Sequence, residues 1–243
     1  MRLKILGSAG SSPSGHRACS SYLLDDRLLL DAGPGSYMNL MRSKSDPNKI
    51  KKIFLSHLHG DHIFDVGAFI WGMATWERKD DLLIYGPAGT SRFVNDLLLE
   101  GNTPSSFVRF SVRVIEFGGG EKIGEIMTAK GSHTIDDIAY RIDGLCYSGD
   151  TMPTHNIVDL AKGCKALLYE SSFRGGNEQL AHKYGHSTAT EAAKVALDSG
   201  VEELILTHFY PLREGDVEGM INDVTPIFPR KVMFASDLSD III

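Results

Sequence analysis

Short apolar runs bounded by turn residues recur along this chain and predict many β-strands and fewer helices. Residues 2–6 alternate polar and apolar side chains, and residues 21–24 and 28–31 flank three polar residues as in a β-hairpin. Further strands are predicted at residues 53–55, 82–85, 112–115, 122–129, 138–142, 145–148, 166–169, 203–206 and 232–234, the last one before the C-terminal tail. Helices are predicted at residues 37–42, 63–78, 90–100, 189–198 and 217–227.

The order of these elements predicts how the chain is organised. Residues 108–149 are rich in predicted strands, whereas helices and strands alternate after them. Neither an internal repeat nor a low-complexity linker separates the segments, so we expect a single domain that spans residues 1–243. Two strand-rich blocks, each accompanied by helices, are typical of two packed β-sheets with helices on their outer faces.

The composition of the chain narrows the class of protein. Of the 243 residues, 42% are hydrophobic and 23% are charged, which is typical of a globular domain and argues against a disordered or fibrous chain. The formal net charge of −6 argues against a protein that coats nucleic acid. Cys19, Cys146 and Cys164 are scattered, and no apolar run approaches the ~20 residues that a membrane span requires. We therefore expect a cytoplasmic protein without disulfide bonds or a membrane partner.

A dense cluster of metal-binding side chains follows one of the predicted strands. His57 and His59 are two residues apart, so their side chains point the same way on an extended segment. Gly60 allows the chain to turn, which lets Asp61 and His62 face a second position. Imidazole and carboxylate groups bind zinc, and also manganese or iron. Because burying such groups without partners costs several kcal/mol, the cluster predicts a metal site.

Three further candidate ligands lie where predicted strands end. His133, Asp150 and His208 each follow a short apolar run, and each is flanked by small or hydroxyl-bearing residues. Ligands at the ends of neighbouring strands can converge on one rim of a sheet, where a rigid scaffold holds them. We therefore expect these three residues to contribute to the same metal site as the histidine cluster.

The order of these residues resembles the metallo-β-lactamase superfamily. The matching motifs are His-x-His-x-Asp-His, then a histidine, then Gly-Asp-Thr and finally Thr-His, and they extend over nearly the whole chain. The resemblance implies an α/β fold, a four-layer αββα sandwich of two mixed β-sheets flanked by helices. It also implies two divalent metal ions, with Zn²⁺ as the first choice and Mn²⁺ or iron as alternatives.

The resemblance also assigns a role to each candidate ligand. Each ion takes ligands from the cluster and from a later motif: His57, His59 and His133 for one, and Asp61, His62 and His208 for the other. Asp150 would bridge the two ions through its carboxylate. Asp31 would contact a ligand histidine and fix its tautomer, and the alternative interpretation is an aspartate in the turn before Gly33.

Several shorter motifs are similar to those of ribonuclease Z and related phosphodiesterases. They occupy residues 6–13, 168–173, 185–188 and 206–211. Ribonuclease Z enzymes that bind tRNA commonly carry a long flexible arm between the positions of His133 and Asp150, and the two are only 17 positions apart here. With the acidic net charge, this departure favours a small-molecule or nucleotide phosphodiester over RNA as the substrate. The resemblance also suggests a homodimer.

The resemblance implies a phosphodiesterase in which a hydroxide that bridges the two metal ions attacks phosphorus. Asp61 would bind metal and accept a proton from the nucleophile. His186 would donate a proton to the leaving oxygen, since an unperturbed histidine has a pKa near neutrality, and Glu170 would orient His186. In the alternative interpretation, His186 only precedes a helix that begins at Ser187 or Thr188.

Two other functions remain open from the sequence. The same metal site would serve a hydrolase of sulfate esters, thioesters or lactones, which substrate profiling would distinguish from a phosphodiesterase. A non-catalytic module that binds metal or RNA is the third hypothesis. The complete set of seven candidate ligands argues against that module, because a site released from catalysis would have little reason to keep all of them.

Overall fold

A computed structural model of the chain describes residues 1–210 and 216–243. These residues divide into two compact units, the first formed by residues 1–117 with 236–242 and the second by residues 118–235 with Ile243. The single domain predicted for residues 1–243 stays a prediction. All three cysteines are buried and free. Within the described ranges, no helix is long and apolar enough to cross a membrane.

The first unit contains a mixed sheet of seven strands among its described residues. In sheet order they are β14 (Asp240–Ile242), β1 (Arg2–Gly7), β2 (Ser21–Leu24), β3 (Leu28–Leu30), β4 (Lys52–Phe54), β5 (Leu82–Gly86) and β6 (Val112–Glu116). The first three pairings are antiparallel and the last three are parallel. Because β3 and β4 are parallel with Leu30 opposite Phe54, their carboxyl ends bring Asp31 beside the segment that leads to the histidine cluster.

The helices of the first unit are α1 (Ser36–Arg42), α2 (Gly60–Ile63), α3 (Val66–Thr75) and α4 (Thr90–Glu100), with a short 3₁₀ helix at Pro47–Lys49. The continuous helix predicted at residues 63–78 is wrong, because Phe64 and Asp65 separate α2 from α3. Ala32 causes the interruption: its carbonyl accepts the Asp65 N–H at 2.9 Å, and its N–H donates to the His62 carbonyl at 2.7 Å. The helical hydrogen bonds that would join α2 to α3 are thereby replaced.

The second unit repeats this sheet plan. In sheet order its strands are β13 (Lys231–Phe234), β12 (Glu203–Thr207), β11 (Ala166–Glu170), β10 (Leu145–Tyr147), β9 (Ile138–Ile142), β8 (Ile126–Lys130) and β7 (Lys122–Ile123). The strands from β7 to β10 pair antiparallel, and those from β10 to β13 pair parallel. The single strand predicted at residues 122–129 is wrong, because a turn with Gly124 at φ 61° divides it into the hairpin β7–β8.

The helices of the second unit are α5 (His155–Ala161), α6 (Glu178–Lys183), α7 (Ala189–Ser199) and α8 (Asp216–Val224). Helix α7 confirms the prediction at residues 189–198. Its N-cap residue is Thr188, which forms a capping box with Glu191, and Gly200 ends the helix at φ 77°. Helices α5 and α6 are additional to the predicted elements.

The C-terminal tail is a structured part of the first unit. Strand β14 pairs antiparallel with β1, so that Arg2 faces Ile242. Just before β14, the Asp237 carboxylate accepts hydrogen bonds from the Ser8 hydroxyl at 2.6 Å and from the Ala18 N–H at 2.7 Å. The prediction that residues 232–234 form the last strand is therefore wrong, and the segment after them holds the Gly-rich loop that follows β1.

Candidate metal centre and catalytic residues

The first unit gathers four of the predicted ligands at the carboxyl end of β4. We call His57, His59, Asp61 and His62 the first cluster. The ring centroids of His57 and His59 are 4.8 Å apart, and those of His57 and His62 are 4.1 Å apart. His59 is extended and precedes α2, whose first turn carries Asp61 and His62. His57 and His62 are fully buried, whereas His59 and Asp61 are partly exposed.

Asp31 is the buried acceptor beneath the first cluster. Its carboxylate lies 2.7 Å from His62 Nδ1 and accepts the Ser56 N–H at 2.7 Å and the Ser56 hydroxyl at 2.8 Å. The Ser56 oxygen lies 3.0 Å from His57 Nδ1. Asp31 has φ 54°, a left-handed conformation in which asparagine and aspartate are enriched. The expected contact between Asp31 and a ligand histidine is therefore present, at His62.

The second unit places its three predicted ligands at strand ends. We call His133, Asp150 and His208 the second cluster: His133 follows β8, Asp150 follows β10 and His208 follows β12. Asp150 and His208 are buried, and Asp150 Oδ2 lies 3.1 Å from His208 Nε2. His133, Asp150 and His186 each offer one potential ligand atom, and these three atoms lie within 4.8 Å of one another. That is close enough for them to bind the same ion.

A glycine makes room for His133. The Gly185 carbonyl lies 2.7 Å from His133 Nδ1, and a Cβ at Gly185 would approach that nitrogen to 2.8 Å. Gly185 also has φ 75°, so a side chain there would be strained as well as crowded. Burial is the largest influence on the His133 imidazole and lowers its pKa, which favours the neutral form that binds metal.

Glu170 is the buried acceptor of the second unit, at the carboxyl end of β11. Its Oε1 lies 2.9 Å from His186 Nδ1 and accepts the Thr151 N–H at 3.1 Å. Its Oε2 accepts the Ser172 N–H at 3.1 Å and the Ser172 hydroxyl at 2.8 Å, and the Ser172 oxygen lies 2.9 Å from His208 Nδ1. Glu170 thus contacts His186 directly, and its role as the carboxylate that orients His186 stays a prediction.

The pKa of His186 reflects two opposing influences. Burial is the largest and lowers the pKa, but the neighbouring carboxylates of Glu170 and Asp150 together outweigh it, so the pKa is raised above its usual value. His186 also lies two residues before Thr188, the N-cap of α7, so the interpretation as a residue preceding a helix is geometrically correct too. The contact with Glu170 adds a feature that a simple helix start does not require.

The donor atoms of the two clusters suit divalent metal ions. Four of the predicted ligand histidines, His57, His62, His133 and His208, each have Nδ1 within hydrogen-bond distance of a protein oxygen. Such contacts fix a ligand histidine with its Nε2 lone pair available to metal. The approach of His208 Nε2 to the Asp150 carboxylate at 3.1 Å requires either a hydrogen on that nitrogen or a metal ion held by both atoms.

Sequence reasoning missed two residues at these clusters, Ser56 and Ser172. Both are buried, and each lies between a carboxylate and a histidine. The only sequence signal is a hydroxyl next to a predicted strand end, immediately before His57 in one case and two residues after Glu170 in the other. Serine is too common at strand ends for that signal to be specific.

Comparisons with known proteins agree with this arrangement. A model of the β-lactamase superfamily domain matches residues 26–209. Ribonuclease Z of Saccharolobus solfataricus is 31% identical, and the match covers 100% of this chain and 99% of that protein. Ribonuclease Z of Lactobacillus johnsonii is 30% identical, with 99% and 98% covered. The first alignment extends over 298 positions against 243 residues here, so the relative has at least 55 positions without a counterpart in this chain.

Solved structures agree with the fold. The metallo-β-lactamase fold protein YhfI of Bacillus subtilis has a TM-score of 0.83 at 23% identity, and the match covers 99% of this chain and 98% of that one. The short form of human tRNase Z has a TM-score of 0.82 at 23% identity, with 100% and 99% covered. The α/β fold predicted from the motifs, with two mixed sheets flanked by helices, is therefore confirmed as a metallo-β-lactamase fold.

Proposed function

Since this chain belongs to the β-lactamase superfamily, and to the ribonuclease Z family within it, we propose that it is a metal-dependent hydrolase of phosphodiester bonds. The observation that carries the proposal is the pairing of ligand histidines with buried acceptors. In each unit a fully enclosed carboxylate, Asp31 or Glu170, faces the Nδ1 atom of one histidine and reaches a second through a serine. Such an arrangement prepares imidazoles to bind metal and has no evident use without it.

The proposed ligands follow the family motifs. His57, His59 and His133 would bind one ion, and Asp61, His62 and His208 would bind the other. Asp150 would contribute to both sites. When bound, two cations would lower the pKa of a water molecule and neutralise the charge that develops on phosphate oxygens. Nitrogen and carboxylate ligands favour Zn²⁺, with Mn²⁺ or iron as alternatives that elemental analysis distinguishes.

His186 is the proposed proton donor to the leaving oxygen. Its Nδ1 lies 2.9 Å from Glu170, which leaves Nε2 as the nitrogen that would face the leaving oxygen, and its ring centroid lies 5.0 Å from that of His133 and 5.3 Å from that of His208. Glu170 acts through His186 and does not itself touch substrate, so its role is to position the imidazole. Asp61, which is partly exposed beside the buried His62, is the proposed acceptor of a proton from the nucleophile.

The substrate class follows from what lies between His133 and Asp150. That interval holds only strand β9, strand β10 and their turns, which leaves no segment for a long arm. With the net charge of −6, this supports a small-molecule or nucleotide phosphodiester as the substrate. The curated relatives are named ribonuclease Z, which makes RNA the second candidate. A homodimer and a cytoplasmic location remain predictions.

The test combines metal content with substrate profiling. Protein purified without chelator would be analysed for metal and assayed with bis(p-nitrophenyl) phosphate, a sulfate ester, a thioester and a tRNA precursor. We expect about two metal ions per chain and metal-dependent turnover of the phosphodiester. Asp150→Ala should abolish that turnover. Asp136→Ala, at an exposed aspartate that pairs with Lys130 in the same unit, should leave it unchanged.

Each outcome distinguishes between the hypotheses. Preferential cleavage of the tRNA precursor would make RNA the substrate despite the short interval between His133 and Asp150. Metal without phosphodiester turnover, but with turnover of the sulfate ester or thioester, would move the chemistry to another ester. Failure to bind metal after reconstitution would refute the ligand assignment.

A further inference from the structure

Two serines occupy equivalent places in the two units. Ser56 lies between Asp31 and His57, and Ser172 lies between Glu170 and His208. Ser56 is fully buried and Ser172 nearly so, and the sequence motifs assign neither a role. In both cases the serine N–H also donates to the same carboxylate, at 2.7 Å for Ser56 and 3.1 Å for Ser172.

The hydrogen positions in the first unit follow from counting donors. A serine hydroxyl has a single hydrogen and two lone pairs, and an ionised carboxylate can only accept. The Ser56 hydroxyl lies 2.8 Å from Asp31 Oδ2, a bond strengthened by the carboxylate charge, so its hydrogen is directed there. At 3.0 Å from His57 Nδ1, the serine oxygen must then accept, and the histidine must carry its hydrogen on Nδ1.

The same count applies to the second unit. The Ser172 hydroxyl donates to Glu170 Oε2 at 2.8 Å, so the serine oxygen accepts from His208 Nδ1 at 2.9 Å. Glu170 Oε1 meanwhile faces His186 Nδ1. In each unit, one carboxylate therefore determines which nitrogen carries the hydrogen in two imidazoles. It contacts one imidazole directly and acts on the other through the serine.

We propose that Ser56 and Ser172 are positioning residues that fix the tautomers of His57 and His208, so that Nε2 of each carries the lone pair that binds metal. This inference rests on the proposed function, because the tautomer of a histidine affects metal binding only if that histidine is a metal ligand. In this arrangement a single buried carboxylate faces the Nδ1 side of two histidines. A second carboxylate at the Nδ1 atom of the serine-linked histidine, which would repel the first and require its own desolvation, is thereby unnecessary.

Alanine substitutions isolate this role. Ser172→Ala removes the hydroxyl between Glu170 and His208 but keeps the N–H that donates to Glu170. Ser56→Ala likewise keeps the N–H that donates to Asp31. The matched control is Ser171→Ala, because Ser171 is also buried and its hydroxyl donates to the Thr207 carbonyl at 3.0 Å without contact to a carboxylate.

The first measurement is the histidine tautomer in the metal-free protein, from the nitrogen-15 chemical shifts of the imidazole rings. In the wild type, His57 and His208 should carry hydrogen on Nδ1, and in the absence of metal His208 should carry a second hydrogen on Nε2, which faces Asp150 at 3.1 Å. In Ser172→Ala we expect the signal of the Nδ1 hydrogen of His208 to be partly lost, while His57 keeps its wild-type signal. In Ser56→Ala the reverse should hold, and Ser171→Ala should leave both signals unchanged.

The second measurement is metal affinity, from competition between the protein and a chromophoric zinc chelator. Loss of a hydrogen-bonding partner of a ligand typically weakens metal binding about 10–100-fold. We expect that range for Ser172→Ala and Ser56→Ala and less than a threefold change for Ser171→Ala. Ser172→Thr, which keeps a hydroxyl, should recover most of the affinity.

The two measurements separate failure of this inference from failure of the proposed function. If wild-type protein bound metal tightly but the alanine variants kept both the wild-type tautomers and the wild-type affinity, the serines would have no positioning role. If the wild type bound no metal, the proposed function would fail, while the tautomers of the metal-free protein would still decide whether the serines set them. Should one alanine variant not fold, the other tests the same arrangement in its own unit.

Discussion

Asp31→Asn offers a severe test of the first cluster. Asp31 is fully buried and accepts from the Ser56 N–H, the Ser56 hydroxyl and His62 Nδ1. An asparagine amide must turn its NH₂ group toward one of these sides, and either orientation sets a donor against a donor. The milder orientation loses one charge-assisted bond, about 1.5–3 kcal/mol, and weakens two others by about 1 kcal/mol each. We therefore expect the free energy of unfolding to fall by about 3.5–5 kcal/mol.

The assay is denaturant unfolding of the metal-free protein, followed by tryptophan fluorescence. Both tryptophans, Trp71 and Trp76, belong to the first unit, so their emission reports on the unit that is changed. Asp96→Asn, at an exposed aspartate of α4, is the matched control and should change the free energy of unfolding by less than about 0.5 kcal/mol. The assigned hydrogen bonds would be refuted if the free energy of unfolding of Asp31→Asn lay within about 0.5 kcal/mol of the wild-type value and its dependence on denaturant concentration were unchanged.

Three further predictions concern the second unit and the metal. Gly185→Ala and Gly176→Ala both place a side chain at positive φ, and each should lower the free energy of unfolding by about 1–2 kcal/mol. Only Gly185→Ala should also weaken metal binding, because its Cβ would contact His133, whereas nothing lies within 4 Å of a Cβ at Gly176. Equal metal affinities of the two variants in a chelator competition would contradict the contact. Thr188→Ala should lower the free energy of unfolding by about 1 kcal/mol through loss of the α7 cap, and metal analysis should show unchanged content. Addition of zinc to metal-free protein at 100 times its dissociation constant should stabilise the fold by about 2.7 kcal/mol, measured by denaturant titration, and no change in the midpoint would argue against a native-state site.

The metal ligands could be predicted because their types and order are specific. The first cluster lies within six consecutive residues, and the later ligands each follow an apolar run that became a strand. Asp31 could be placed beside this cluster only through the family resemblance, since the sequences of β3 and β4 do not by themselves predict that the two strands pair in parallel. Ser56 and Ser172 were missed because their role depends on hydrogen positions relative to distant carboxylates.

Two of the errors in the predicted elements also have a tertiary cause. The apolar pattern of residues 63–78 is compatible with one helix, and the contacts of Ala32, which lies far away in sequence, interrupt it. Strand β14 is three residues long, and its partner β1 is more than 230 residues away, so no local window contains the pairing. Local patterns therefore predicted the individual strands and failed where a distant segment decides the conformation.

The pairing of β14 with β1 has a consequence for biosynthesis. Every other pairing in the first sheet joins segments within residues 2–116, whereas β14 is translated more than 120 residues after β6 ends. Until then β1 is an edge strand, and an open edge is a template for association with other chains. The carboxylate of Asp237 also reaches Ser8 and Ala18 only at that stage. The nascent chain thus passes through a period in which its first sheet is exposed to aggregation, and the pairing of β14 with β1 ends that period.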